Sequence, residues 1–198
     1  MNPFVSVVCP TYNHKKYIAE ALESILMQRI DFPLEIIIHD DASTDGTADI
    51  VRQYERNYPD TITAIYQKEN QYSRGITMAH FVYKKANGQY MATCEGDDYW
   101  TDPYKLKKQV AFLENHPEYI AVTHNVKVIN GKNELVNDKF NEFKFFDRPI
   151  IYTINDAEKF KLPFQTSSKV YRNVWLDLDK KIFQGYLACK ANGDRKIA

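Results

Sequence analysis

The first half of the chain alternates short apolar runs with stretches of helical periodicity. Runs at residues 5–9 and 34–39 contain β-branched residues and have the apolar character of strands covered on both faces, and further strands are predicted at residues 62–67 and 90–94. The stretches between them carry apolar residues at helical spacing. The predicted helices cover about residues 18–26, 47–57 and 77–86. This order predicts an α/β fold with a Rossmann-like, mostly parallel sheet, right-handed crossovers and flanking helices.

The second half gives fewer signals. Asp102 is expected to cap a helix that has Pro103 in its first turn. Residues 121–129 predict a strand, and the Asn130-Gly131 turn after it predicts a hairpin. We also expect a helix near residues 155–161, a strand near residues 165–171 and a helical tail.

Composition limits the classes of protein that this chain can represent. With 198 residues and 44% hydrophobic residues, a single domain over residues 1–198 is expected. No apolar run reaches the roughly 18 residues of a membrane span, so we expect a cytoplasmic chain, free or at the inner face of the membrane. The formal net charge is zero and no basic stripe is present, so nucleic acid is not an expected partner. The three cysteines have no CxxC spacing, which argues against disulfides and structural zinc.

Three polar clusters follow predicted strands. They are PTYN at residues 10–13, HDDASTDGT at residues 39–47 and EGDDYW at residues 95–100. Because parallel sheets bind ligands beyond the carboxyl ends of their strands, these clusters predict one binding crevice. Taken singly, the second cluster is also typical of a loop that caps the next helix, and PTYN of a simple turn.

The third cluster contains two adjacent carboxylates, Asp97 and Asp98. Each raises the cost of ionising the other, and a nearby cation removes that cost. A hard divalent ion prefers carboxylate and phosphate oxygens, so the pair is a candidate site for Mn²⁺ or Mg²⁺. The alternative is an acidic loop that simply faces water.

The three clusters in this order, within VSVVCPTYN, IIIHDDASTDGT and GQYMATCEGDDYW, resemble the inverting glycosyltransferases of family 2, which have the GT-A fold. The resemblance covers about the first 115 residues. It implies a nucleotide-sugar-binding half at residues 1–115 and an acceptor-side half with a smaller β region at residues 116–198. Because the chain stops within a predicted helix, we expect the natural protein to continue beyond it.

The resemblance implies roles for individual residues on the donor side. Asp41 is expected to contact the nucleobase, Asp98 to ligate Mn²⁺ or Mg²⁺, and Asp194 to act as the base that deprotonates the acceptor. Arg74 would lie near the base or diphosphate, although a surface arginine would look the same. For Asp194 the alternative is a helix N-cap, and the base is favoured because the resemblance fixes its order and approximate distance along the chain. The remaining expected donor-binding residues are Pro10, Thr11, Tyr12, Asn13 and Asp97.

Four residues are weaker candidates for the acceptor side. Trp100 follows the acidic pair, and its ring could stack on a sugar or simply pack. Gln165, Thr166 and Ser167 match the strand that faces the acceptor in the family, but an ordinary edge strand would look similar.

These residues together predict a metal-dependent enzyme that moves a sugar from a nucleoside diphosphate, most simply UDP, to a hydroxyl of a saccharide or lipid-linked saccharide. By resemblance, the product is a bacterial cell-surface polysaccharide. A non-catalytic module that retains the donor pocket is the alternative outside enzymes. A sugar nucleotidyltransferase is less favoured, because it would need a glycine-rich phosphate loop and PTYNHKKY contains no glycine.

Overall fold

Six strands form one sheet in the computed structural model, which describes residues 2–136, 150–151, 153 and 165–176. The strands are β1 (Val5–Thr11), β2 (Leu34–Asp40), β3 (Ile62–Tyr66), β4 (Tyr90–Thr93), β5 (Ala121–Val122) and β6 (Val170–Arg172). Their order across the sheet is β3-β2-β1-β4-β6-β5. β1 to β4 are parallel, and β6 runs antiparallel to both β4 and β5. The predicted mostly parallel sheet is therefore confirmed.

The chain reverses direction across the sheet at β1. It proceeds outward on one side of β1 to β2 and β3, and then returns to form β4 on the other side. In open α/β sheets such a switch point leaves a crevice at the carboxyl ends of the two strands that flank it. Here that crevice lies beyond the ends of β1 and β4.

Helices cover both faces of this sheet. They are α1 (Ile18–Leu26), α2 (Thr47–Asn57), α3 (Ala79–Val82) and α4 (Lys105–Asn115). Because side chains alternate along a strand, Val7 of β1 packs in one cluster with Leu22 of α1, and Val8 packs in the other with Val82 of α3. All four side chains are buried, and full burial of each such aliphatic side chain contributes about 1.5–3 kcal/mol.

Two predicted elements are much shorter in the structure. The helix expected at residues 77–86 is regular only over Ala79–Val82, because the bond from Tyr83 N to the Ala79 carbonyl lengthens to 3.5 Å and the chain continues in turns. The strand expected at residues 121–129 forms ladder pairs only at Ala121–Val122. The hairpin at Asn130-Gly131 is confirmed by the antiparallel bridge between Ile129 and Leu135.

The start of α4 corrects a prediction made from sequence. Asp102 is not the N-cap, because the helix begins at Lys105 and Tyr104 occupies the cap position. The Asp102 carboxylate instead accepts a hydrogen bond from Tyr104 N at 2.9 Å, and its carbonyl accepts one from Lys105 N at 3.1 Å. Asp102 thus forms the turn that leads into the helix.

The C-terminal part of the sheet also differs from expectation. The strand predicted near residues 165–171 is a single 3₁₀ turn, Thr166–Ser168, followed by β6. The helix expected near residues 155–161 and the helical tail lie outside the described residues. Within the described residues, no helix has the length and apolar character needed to cross a membrane.

Candidate functional site

The end of β1 holds together the loops that follow its two neighbours. The Thr11 carbonyl accepts a hydrogen bond from Asp41 N at 3.0 Å, just beyond β2. The Pro10 carbonyl accepts one from Gly96 N at 2.9 Å, just beyond β4. The three polar clusters found in the sequence therefore meet at one edge of the sheet.

The PTYN turn is fixed by the loop after β2. Asn13 adopts a left-handed conformation with φ 55°, and its N–H donates to Ser43 Oγ at 2.9 Å. Its Oδ1 accepts the N–H of Thr44 at 2.8 Å. Tyr12 beside it remains 44% exposed, so an aromatic face is available to a ligand at this edge.

Asp41 organises the loop at residues 69–75. Its side chain is buried, and its two oxygens accept the backbone N–H groups of Gln71 at 2.7 Å and Tyr72 at 3.0 Å. Each carboxylate oxygen has two lone pairs, so these bonds leave acceptor capacity for a ligand. Tyr72 is 81% exposed, and its ring lies on the surface of the same loop.

Arg74 lies in this loop with its side chain exposed. Its guanidinium forms an ion pair with the carboxylate of Glu69, five residues earlier in the same loop. Exposed pairs of this kind contribute little to stability. A role for Arg74 near a diphosphate stays a prediction.

The acidic pair occupies two different environments. Asp97 is exposed, and its Oδ2 lies 3.7 Å from His14 Nε2. Asp98 is half-buried, and its Oδ2 accepts hydrogen bonds from Gln165 Nε2 at 2.5 Å and from Ser167 Oγ at 2.6 Å. Both hydrogen bonds that the Asp98 carboxylate accepts from the described residues go to Oδ2, so Oδ1 keeps its acceptor capacity for a cation.

Gly96 allows the acidic loop to approach β1 closely. A Cβ atom at this position would lie 2.5 Å from Thr11 Oγ1 and 3.0 Å from His14 Nδ1. Both of those atoms are buried, and within the described part of the chain neither has a hydrogen-bond partner. His14 is not among the site residues predicted from the sequence, although it lies beside Asp97. Its place in the turn after β1 was the available signal.

The residues expected on the acceptor side pack against the acidic loop. Ser167 Oγ accepts the N–H of Glu95 at 3.0 Å, and the Ser167 carbonyl accepts Trp100 Nε1–H at 2.8 Å. Trp100 is buried, which corresponds to the packing alternative for its ring. Gln165 and Ser167 bind Asp98, Thr166 lies between them, and contact of these three with an acceptor stays a prediction.

The donor set suits a hard divalent ion bound together with a substrate. Among the described residues, no three His, Cys, Asp or Glu side chains surround a common point. Asp97 and Asp98 supply carboxylate oxygens, and neither has a lysine or arginine partner in the described ranges. Mg²⁺ is typically held by one or two carboxylates plus the phosphates of its substrate. The residues present fit that arrangement.

Burial shifts the pKa of two side chains beside the site, Cys94 and His39, toward their neutral forms. Burial raises the pKa of the Cys94 thiol to about 12, with a further contribution from Asp98, so Cys94 behaves as a small apolar residue. Burial lowers the pKa of His39, against the opposing effect of Asp41 and Asp40. The His39 ring stacks on Phe81 with centroids 5.1 Å apart. Neither the Cys94 thiol nor the His39 ring therefore adds charge to the carboxylates at this edge.

One expected site residue is not placed. Asp194, the predicted base, lies outside the described residues, as does the third cysteine, Cys189. Its role stays a prediction.

Comparison with known sequences identifies relatives over most of the chain. Residues 6–175 match the family profile described as "Glycosyl transferase family 2". The chain is 41% identical over 138 residues to the putative glycosyltransferase EpsE of Bacillus subtilis, covering 70% of this chain and 45% of EpsE. It is 34% identical over 157 residues to the putative teichuronic acid biosynthesis glycosyltransferase TuaG of the same organism, covering 79% of this chain and 58% of TuaG.

Solved structures share the architecture. Staphylococcus aureus TarS 1–349 in complex with UDP matches with a TM-score of 0.61 at 26% identity, covering 96% of this chain and 52% of that 1–349 chain. The mannosyltransferase PcManGT from Pyrobaculum calidifontis, in complex with GDP-Man and Mn²⁺, matches with a TM-score of 0.54 at 32% identity, covering 65% of this chain and 36% of PcManGT.

This chain thus spans 45% of EpsE, 58% of TuaG, 36% of the PcManGT chain and 29% of the whole TarS protein. The mostly parallel sheet flanked by helices is the GT-A fold that the resemblance implied. With 170 residues inside the family profile, the chain belongs to glycosyl transferase family 2.

Proposed function

We propose that this chain belongs to an inverting, metal-dependent glycosyltransferase that uses a nucleoside diphosphate sugar, with UDP as the nucleotide. On this proposal, residues 1–115 bind the donor and residues 116–198 belong to the acceptor side of a single domain. The observation that carries the proposal is the meeting of the Asp41 loop and the Asp97-Asp98 loop at the end of β1, through Thr11 and Pro10.

The two loops divide the donor between them. Asp41 retains acceptor capacity after accepting two backbone N–H groups of the loop at residues 69–75. On this proposal it accepts a hydrogen bond from the ring N–H of the nucleobase. Tyr12 offers an exposed aromatic face beside it. Across the end of β1, Asp97 and the open oxygen of Asp98 face the diphosphate, and Arg74 is an additional cation on the nucleobase side.

A divalent cation, when bound by Asp97 and Asp98, supplies Lewis-acid stabilisation of the charge that develops on the leaving diphosphate. The acceptor hydroxyl attacks the anomeric carbon from the face opposite the diphosphate, the bond to the diphosphate oxygen breaks, and a base takes the hydroxyl proton. Asp194 is the proposed base. Two structural neighbours support this donor class, since TarS 1–349 was solved with UDP and PcManGT with GDP-Man and Mn²⁺.

The acceptor class follows from the relatives. TuaG is named for teichuronic acid biosynthesis and TarS for transfer to poly(ribitol-phosphate). We infer that the acceptor here is a saccharide or lipid-linked saccharide in the synthesis of a bacterial cell-surface polymer. On this proposal the reaction takes place in the cytoplasm or at the inner face of the membrane.

The test is ligand-dependent thermal stabilisation. UDP-, GDP- and dTDP-sugars are each added with Mn²⁺, with Mg²⁺ and with EDTA. Because a ligand that binds only the folded state stabilises it by RT ln(1 + [L]/Kd), saturation to 100-fold above Kd contributes about 2.7 kcal/mol, or roughly 5–10 °C in Tm. We expect UDP-sugars to give this shift only with the metal. No metal-dependent shift with any nucleotide would refute the donor assignment.

A further inference from the structure

A lysine is buried next to the candidate metal site. Lys105, the first residue of α4, is only 4% exposed, and its Nζ lies 4.0 Å from the centroid of the Trp100 ring. Among the described residues its ammonium has no hydrogen-bond partner. A buried cation without such partners carries a large desolvation cost, so its position calls for a physical reason.

The Trp100 ring beneath it anchors the residues that hold Asp98. Trp100 Nε1–H donates to the Ser167 carbonyl at 2.8 Å. The Ser167 hydroxyl in turn donates to Asp98 Oδ2 at 2.6 Å. Three direct contacts therefore connect the Lys105 ammonium to the carboxylate, through an indole and a serine.

The next turn of α4 supports the same segment. Gln109 lies four residues after Lys105 on the buried side of the helix, and its Nε2 donates to the Ser168 carbonyl at 3.0 Å. The Trp100 indole, which Lys105 contacts, and the Gln109 amide of α4 thus bind two consecutive carbonyls of the turn at residues 166–168. This turn follows Asp98 by almost 70 residues, so contacts of this kind determine where it lies.

We propose that Lys105 is a positioning residue: by holding the Trp100 indole from its ring face, it sets Ser167 and thereby the orientation of the Asp98 carboxylate toward a divalent cation. The attraction of an ammonium to an indole face is strongest when both are removed from water, as they are here. This inference rests on the proposed function only for the identity of what Asp98 binds. The contacts between Lys105, Trp100 and Ser167 hold without it.

The test compares three lysine variants in the full 198-residue chain. Lys105→Met keeps the length and apolar stem of the side chain but removes the cation. Lys105→Arg keeps a cation that stacks on aromatic faces. Lys107→Met is the matched control, because Lys107 lies on the same helix but is exposed and paired with Asp31.

The first readout is the Kd of UDP with and without Mn²⁺, measured by calorimetry. We expect Lys105→Met to weaken the Mn²⁺-dependent binding roughly tenfold while the metal-free Kd stays unchanged. Lys105→Arg should recover most of the loss, and Lys107→Met should match the wild type. A residue that only supported the fold would lower Tm without separating the two Kd values.

The second readout needs no ligand. Hydrogen exchange of the Trp100 indole N–H, followed by NMR, should accelerate in Lys105→Met and stay slow in Lys107→Met. The indole of Trp175, which stacks on Tyr83, provides the internal reference. If Lys105→Met does not fold, Lys105→Gln carries the same two expectations.

The two arms separate the inference from the proposed function. If wild type shows no Mn²⁺-dependent UDP binding, the proposed function fails and the exchange measurement alone decides the positioning of Trp100. If wild type binds UDP with Mn²⁺ and Lys105→Met does so equally well, with unchanged Trp100 exchange, the inference is overturned.

Discussion

The hydroxyl of Ser167 donates to Oδ2 of Asp98 at 2.6 Å, joining two residues that are 69 positions apart in the chain. The bond brings a turn from the second half of the chain onto the acidic loop of the first half. Asp98 is thereby oriented by one oxygen while the other stays open, which is the arrangement that a metal-binding carboxylate needs.

Ser167→Ala tests this bond directly. The variant removes the donor to Asp98 and the acceptor for Glu95 N, which costs about 1–3 kcal/mol where a buried partner is left unsatisfied. We expect weaker Mn²⁺-dependent UDP binding and a lower Tm. Thr63→Ala, which removes an exposed hydroxyl on β3, should change neither. Equal Kd values for Ser167→Ala and wild type would contradict the role given to Ser167.

Asp41→Asn and Asp98→Asn should affect binding in different ways. Asparagine retains one side-chain oxygen, so Asp41→Asn cannot accept both loop N–H groups as the carboxylate does, and we expect weaker UDP binding with and without Mn²⁺. Asp98→Asn should weaken only the Mn²⁺-dependent part. Titrations of UDP in Mn²⁺ and in EDTA distinguish the two patterns, and Asp49→Asn on the exposed side of α2 is the control. If both variants lose only the Mn²⁺-dependent part of UDP binding, or both lose binding in EDTA as well, the assignment of Asp41 to the nucleobase and Asp98 to the metal is wrong.

Gly96→Ala should destabilise the fold. The added methyl group would lie 2.5 Å from Thr11 Oγ1 and 2.8 Å from Thr11 Cβ, so the acidic loop must move away from β1. Overpacking of this kind costs about 1–3 kcal/mol. Thermal melts should show a loss of several degrees, accompanied by weaker metal-dependent binding. Gly131→Ala is the comparison, because its methyl group would meet only the Tyr17 hydroxyl, at 3.0 Å, and we expect a smaller loss.

The pH dependence of stability should differ between wild type and Lys105→Met. Burial lowers the pKa of Lys105 to about 7 from 10.5, so the unfolded chain binds more protons than the folded chain between these values. The burial cost is therefore complete below pH 7 and is relieved as the pH rises toward 10.5. Wild type should gain on the order of 1–2 kcal/mol relative to Lys105→Met between pH 7 and pH 9, measured by urea unfolding.

Neighbouring groups do not titrate in this window. The Cys94 thiol has a pKa of about 12, and burial lowers the pKa of His124 so that its ring is neutral above pH 7. A difference between the two proteins that is flat from pH 7 to pH 9 would show that Lys105 is either neutral or fully charged throughout.

Local patterns were sufficient for the elements of the parallel half. The apolar runs of β1 and β2 and the stripe of α2 depend only on spacing along a few residues, and the structure places them where they were expected. The meeting of the three polar clusters at one site could then be predicted, because the carboxyl ends of parallel strands lie at the same edge of the sheet. Asp41 and Asp98 could be singled out on this basis.

Contacts between distant segments could not be predicted in this way. No local signal shows that Gln165 and Ser167 reach Asp98, because the antiparallel pairing of β6 with β4 decides it. The lysine at position 105 likewise has the spacing of an ordinary helix residue, and only the packed structure shows that its ammonium is buried on an indole. The cap of α4 was misplaced by two residues because Asp102 accepts the N–H of Tyr104 in a turn that precedes the helix.

The position of β6 also sets an order of events during synthesis. Ala121–Val122 leaves the ribosome well before Val170–Arg172, yet it is attached to the sheet solely through that later strand in the part of the chain that the structure describes. The four parallel strands of a nascent polypeptide can pair early. The strand that pairs with β4 and β5, β6, is synthesised only about 50 residues after β5, and pairing between such distant segments slows folding. Until that strand arrives, the edge of β4 is open to any other extended segment nearby.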